Sequence, residues 1–329
     1  MVIDCHSHWY PPAFFEAVLN RKGYPRAERD GQGGYRLELA PQSSLAVERH
    51  MVDLDLVLER MAGAGIDVLV SSSAPIALVD GFPPEEAGEL ALLLNEEQAK
   101  ASTLYTDRFL GLATLPMLDP ARALDVLDDA VGRLGLRGVC IGSNINGRPI
   151  SSQECWPVYE RLEQLDVPLF LHPASSTMRD RLEDFGLEYV VGFVFDTSVA
   201  VLRLVFNRVL ENYPKLRIVH PHLGGVLPYL AGRIDLEYAA PWAGNEQLPR
   251  PPSEYIRLFY ADTAVNNPAA LQLAKDFYGL DRLLFATDYP WWPPNVGVDL
   301  IAANLPEADQ NIVFEQSARK LLRLGGKHA

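Results

Sequence analysis

Two histidines one residue apart, His6 and His8, close a short apolar run near the start of the chain, in IDCHSHWYPP. A β-strand sends successive side chains to opposite faces, so this spacing aims both imidazoles one way, with Asp4 on their face and Cys5 and Ser7 on the other. Imidazoles aimed at one point can grip a metal ion. Three more histidines end apolar runs further on: His172 in PLFLHP, and His220 and His222 in RIVHPHLGG. The run LLFATDYP delivers Asp288 to the equivalent place. Three imidazoles and one carboxylate suit a divalent ion with a position left open for water or substrate, zinc first and manganese as the alternative. His222 is preferred to His220 as a site residue, because it lies nearer the strand end and runs into Leu223-Gly224-Gly225, where backbone without side chains leaves room for a ligand. His220 reads as a supporting or packing residue, His50 and His328 as surface residues. Cys5 is expected to pack against a helix, and Asp4 either orients a ligand histidine or is buried structure.

The elements that must position these groups follow from periodicity. Strand patterns fall at 2–8, 66–73, 109–115, 138–143, 168–172, 217–222, 258–262 and 283–288, with helical patterns between them. Leu54, Val57, Leu58 and Met61 carry the spacing of a helix with one buried stripe. Asp119-Pro120 reads as an N-cap with proline at the first helical position, and Gly135 as the stop. The repeated βα unit predicts an α/β fold, a (β/α)8 TIM barrel, as a single domain over residues 1–329. In such barrels catalytic groups gather at the C-terminal ends of the strands, where five of the seven histidines and Asp288 fall. The Gly- and Pro-rich segment 9–44 is expected to be an inserted loop or small hairpin over the barrel mouth, and the proline-rich 241–252 to cover the mouth or reach a neighbouring subunit.

Composition narrows the partners. Acidic residues outnumber basic ones 43 to 29, a formal charge of −14, which repels nucleic acid and anionic lipid and favours a small-molecule partner. Cys5, Cys140 and Cys155 are too few and scattered for a disulfide framework, which fits a reducing cytoplasm. The sequence shows neither a signal-peptide pattern at its start nor an apolar run of membrane-spanning length, so a cytoplasmic protein with no membrane partner is expected.

The motifs DCHSH, FLHP, HLGG followed by LAGRID, PRPPSEY and FATDYP occur in an order that resembles the amidohydrolase superfamily, in its branch similar to aminocarboxymuconate-semialdehyde decarboxylase. The likeness runs from Ile3 to about Leu322. It implies a barrel metalloenzyme, often a homodimer, that removes CO2 from an aromatic or unsaturated carboxylic acid without oxidation. It further implies His6, His8, His172 and Asp288 as metal ligands, His222 as the catalytic histidine, and Arg233 as an anchor for a substrate carboxylate in its own or a neighbouring subunit. Two departures matter. GVCIGSNING lacks the bridging lysine of many hydrolytic members, so one metal is expected rather than two. APQSSLAVE lacks the arginine that the named decarboxylase uses after its first strand, with Arg36 and Arg49 out of register, so the substrate differs from that muconate.

The leading expectation is therefore metal-dependent decarboxylation, with His222 moving a proton and Asp288 ligating, transferring protons or both. Trp291 and Trp292 are expected to form an aromatic wall for the substrate, and Arg233 pairs either with a substrate carboxylate or with Asp235 or Glu237. A hydrolase or hydratase of a small acid, lactone or amide would use residues of the same types, and a barrel that binds a ligand without turnover is the non-enzymatic alternative.

Overall fold

The computed structural model describes residues 1–19, 21–41, 43–174, 181–240 and 248–325. The connection expected over 241–252 is described from Leu248 onward, and His328 lies outside the described residues. Eight parallel strands close into a barrel, as the alternation of elements predicts. Ile3–His8, Val68–Ser72 and Phe109–Gly111 pair in order; Ala113–Thr114 continues the third strand and pairs with Val139–Gly142, followed by Leu169–His172, Ile218–His220, Tyr260–Asp262 and Leu283–Leu284. The break at Leu112 switches the third strand between neighbours, since Leu112 N donates to Ser71 and Ala113 N to Gly138. The eighth strand closes the ring through Cys5 N on Phe285 O and Asp288 N on His6 O, each at 2.8 Å. Each barrel strand except the first is preceded by helix, and the helix Leu54–Gly63, which leads into the second strand, is capped by Asp53 accepting from Leu56 N.

All eight strands send apolar groups inward, among them Ile3, Val70, Phe170 and Leu284, and the C-terminal helix Ser317–Leu322 adds Leu321 to the same cluster. The first strand departs from simple alternation. A bulge between Asp4 and Ser7 sets one extra residue against the second strand, and an extra residue reverses the side-chain phase. Ile3 and Cys5 line the interior below the bulge, and His6 and His8 face the interior above it. This corrects the sequence expectation for two neighbours: Cys5 packs inside the barrel rather than against a helix, and Asp4, opposite Leu69 of the outer layer, lies on the other face from the histidines.

The insertion after the first strand is larger than a loop or hairpin. It holds a helix, Pro12–Val18, and a three-stranded antiparallel sheet of Arg26–Arg29, Tyr35–Ala40 and Ser43–Val47. The strand period was present in YRLELA, where Tyr35 and Leu37 are buried and Arg36 is exposed, but the surrounding glycines and prolines dominate the composition. Phe15 stacks on Tyr35 at 4.6 Å and joins helix to sheet. One continuous helical run, Glu188–Phe206, has 19 residues with mean hydropathy 1.8 and is long and apolar enough to cross a membrane by length and composition. It passes that test despite Asp196 and Arg203, contrary to the sequence expectation, and Ala200, Val201, Leu204 and Val205 seat its buried face in the strand–helix layer.

Candidate active site

His6 and His8 at the end of the first strand, His172 at the end of the fifth and Asp288 after the eighth meet with one donor atom each within 4.8 Å of one another. Each imidazole is oriented through Nδ1. His6 Nδ1 lies 2.7 Å from Asp262 Oδ2, His8 Nδ1 lies 3.0 Å from Ser72 Oγ, and His172 Nδ1 donates to Pro173 O at 2.9 Å. Engaging Nδ1 leaves Nε2 for the cluster. His8 Nε2 and His6 Nε2 stand 3.1 and 3.5 Å from Asp288 Oδ1. His6 Nε2 is buried without a hydrogen bond. Donors bonded at about 2.0–2.2 Å to one ion sit roughly 3.3–3.6 Å apart in a tetrahedral shell and up to roughly 4.4 Å on opposite sides of the ion, so the cluster contracts to hold a cation.

The electrostatics suit a cation. Burial holds His8 below its usual range, and burial together with the neighbouring His8 and His6 holds His172 well below it, so both are neutral donors. Burial opposes charge on His6 as well, yet the Asp262 and Asp288 carboxylates push it up to about 9. Against the burial penalty, His6 and His222 keep Asp288 well below the ordinary carboxylate range, and His6 lowers Asp262. One buried and one half-buried carboxylate thus face one imidazolium, and a divalent ion can take the place of that proton.

His222 reaches the cluster by a turn rather than by strand alternation. The sixth strand stops at His220 because Pro221 has no N–H to continue the ladder. The next residues turn left-handed, with φ of +57° at His222, +56° at Leu223 and +76° at Gly224. Such backbone costs roughly 1–2 kcal/mol at each residue with a side chain. Asp262 Oδ1 accepts from His222 N at 2.9 Å, and Ser198 Oγ from Val226 N at 3.1 Å, which hold the turn. His222 Nε2 then lies 3.7 Å from Asp288 Oδ2, and its ring centroid 5.5 Å from that of His6. Asp288 also has left-handed backbone, φ +58°, and presents one oxygen to His6 and His8 and the other to His222. Strained backbone held by several bonds is frequent where side chains must be aimed.

His220 points away from this cluster. Its neighbour Val219 packs inside the barrel, and His220 Nε2 lies 3.3 Å from where a Cβ on Gly225 would stand. Asp4 accepts from His6 N and Thr287 N, each at 3.1 Å, and so ties the first strand to the eighth instead of orienting an imidazole; burial pushes it up to about 7. His50 is not a surface residue, its side chain being 16% exposed and edge-on to Tyr289. Trp291 and Trp292 do not meet at the histidine cluster. They line an open groove of about 600 Å³ with Arg60, Tyr289 and Asn295 that none of the four clustered residues borders. Tyr10, whose hydroxyl donates to Ala74 O at 2.9 Å, stacks on His8 with ring centroids 6.1 Å apart. Arg233 is exposed on the helix Leu227–Ala239 and pairs with Glu237 at 3.3 Å, whereas Asp235 accepts from Ser253 N and Oγ.

Sequence reasoning missed Asp262. It ends the seventh strand in YAD, the position that singled out Asp288 on the eighth, so the same rule finds it. Among the described residues, the four-residue group is the one cluster of histidine and acid with metal-binding geometry.

The family model described as Amidohydrolase matches residues 3–324. The chain belongs to the amidohydrolase family. This amidohydrolase is 28% identical over 302 residues to the 2-amino-3-carboxymuconate-6-semialdehyde decarboxylase of Dictyostelium discoideum, covering 88% of this chain and 81% of the relative. It is 30% identical over 305 residues to the gamma-resorcylate decarboxylase of Rhizobium sp. (strain MTP-10005), covering 85% and 90%. The dihydroxybenzoic acid decarboxylase of Polaromonas sp. JS666, solved with bound manganese and the inhibitor 2-nitroresorcinol, superposes with a TM-score of 0.79 at 26% identity, covering 98% of this chain and 97% of that one. This amidohydrolase is a metal-dependent carboxy-lyase, and hydrolase describes only the family name.

Proposed function

We propose that this amidohydrolase decarboxylates an aromatic or unsaturated carboxylic acid, hydroxylated benzoates foremost, at a single divalent ion held by His6, His8, His172 and Asp288. The convergence of these four donors, with His6 Nε2 buried and without a hydrogen bond among them, carries the reading. Three imidazoles suit zinc, while the Polaromonas relative holds manganese, and elemental analysis of the purified protein decides between them. The bound ion would stabilise negative charge on a carboxylate or phenolate oxygen.

His222 is the proton donor in this reading. The bond between ring carbon and carboxylate breaks, its electron pair stays on the carbon, a proton from His222 fills that position, and CO2 leaves; no oxidant is consumed. Asp288 Oδ2 stands 3.7 Å from His222 Nε2 and can orient that imidazole. Arg233 anchors a substrate carboxylate across a homodimer. Its support is exposure, since Arg233 is 73% exposed between Tyr229 at 80% and Leu236 at 77%, four and three residues away on one helix face. An assay of CO2 release beside hydrolysis, across hydroxybenzoates and unsaturated diacids, tests the whole: acid product without CO2 rejects decarboxylation.

A further inference from the structure

The geometry points to Asp262 as a positioning residue that couples the metal ligand His6 to the turn carrying His222. The inference rests on the metal-centre reading above and extends it to a residue outside the four donors. Asp262 is 2% exposed, and its two oxygens face different partners. Oδ2 takes the His6 ring at 2.7 Å through Nδ1. Oδ1 accepts two backbone N–H groups, His222 at 2.9 Å and Ala264 at 3.1 Å.

The two ends have different consequences. A carboxylate on Nδ1 requires the proton there, so the Nε2 lone pair of His6 points at the ion; such outer carboxylates raise ligand basicity and hold the ring. The other oxygen holds the first residue of the left-handed turn at φ +57°, a conformation that needs support from outside. One rigid carboxylate therefore spans the ligand and the proton donor. Moving either end moves the other, so metal occupancy and the aim of His222 are linked through this group.

Asp262→Asn tests the link because the amide cannot choose its orientation. Two N–H donors converge on Oδ1, so the amide oxygen must stay there and its NH2 must face His6. His6 Nδ1 then has to accept, which places the ring proton on Nε2, the atom meant for the ion. Binding of Zn2+ alone, by competition against a chromophoric chelator, is expected to weaken about 10- to 100-fold, while kcat at saturating Zn2+ falls and the pH profile of turnover shifts. Equal zinc affinity in wild type and variant overturns this inference alone. A wild type that binds no zinc overturns the metal-centre reading and the inference with it. If the variant fails to fold, histidine-selective 15N spectra of zinc-loaded wild type provide the test: His6 protonated at Nδ1 supports the assignment, and His6 protonated at Nε2 overturns it.

Discussion

Replacing His222 by alanine separates proton transfer from metal binding. The imidazole stands outside the four donors, with Nε2 3.7 Å from Asp288 Oδ2, while Oδ1 of the same carboxylate faces His8 at 3.1 Å and His6 at 3.5 Å. Alanine leaves all four donors in place and keeps the backbone N–H that Asp262 accepts. Loss of a positioned general acid lowers turnover by about 10²- to 10⁴-fold, which corresponds to about 3–5 kcal/mol of barrier. His172→Ala removes a donor outright, so its metal affinity is expected to fall by at least the roughly 10- to 100-fold that loss of an outer partner costs. The measurements are zinc and manganese content after dialysis, affinity by chelator competition, and kcat for CO2 release at saturating metal. Metal loss in His222→Ala equal to that in His172→Ala would make His222 a ligand, and an intact kcat would remove it from proton transfer.

Other perturbations read different parts of the design. Gly224→Ala places a methyl group 2.1 Å from the Tyr278 hydroxyl at a φ of +76°; overpacking and left-handed backbone together cost about 2–4 kcal/mol, and an unchanged Tm would mean that the turn relaxes freely. Chelation is expected to lower Tm, because an ion at about 100 times its Kd contributes about 2.7 kcal/mol to the folded state; confirmed metal loss with no shift would refute the coupling. In the chelated protein the His6 charge, raised from 6.5 to about 9, contributes stability that is complete below pH 6.5 and lost as pH rises through about 9. Its Tm should decline across that window while the zinc-loaded protein, whose ion replaces the proton, lacks this decline; a flat apo profile counts against the assigned charge. Equal amounts of inactive His222→Ala and Arg233→Ala chains, unfolded and refolded together, should recover roughly a quarter of wild-type activity if Arg233 serves the partner of a two-fold dimer. No recovery, with mixed dimers verified, would confine Arg233 to its own subunit.

Much of this architecture is legible in one dimension because it is local. Strand and helix periods recur with the βα unit, and the apolar runs ending in His8, His172 and Asp288 name groups at the rim before any contact is known. The reaction class came from elsewhere, as what the resemblance carried by the motifs from Asp4 in DCHSH to Pro290 in FATDYP implies. Periodicity loses the insertion, where Gly31, Gly33 and Gly34 mask the alternation of Tyr35–Ala40.

Side-chain direction beyond an interruption belongs to the tertiary structure. A period of two predicts that Asp4 shares a face with His6, but the bulge inserts one residue and the prediction reverses. His222 owes its aim to bonds from Asp262, 40 residues away, and from the helix that holds Ser198. Trp291 and Trp292 lie three and four residues after Asp288, yet they line a different groove. The sequence by itself determined which residue types reach the barrel rim, because that depends on periodic local geometry. Which way each one points, and which carboxylate holds which imidazole, only the closed barrel decided, because those choices are made by hydrogen bonds between segments far apart in the chain.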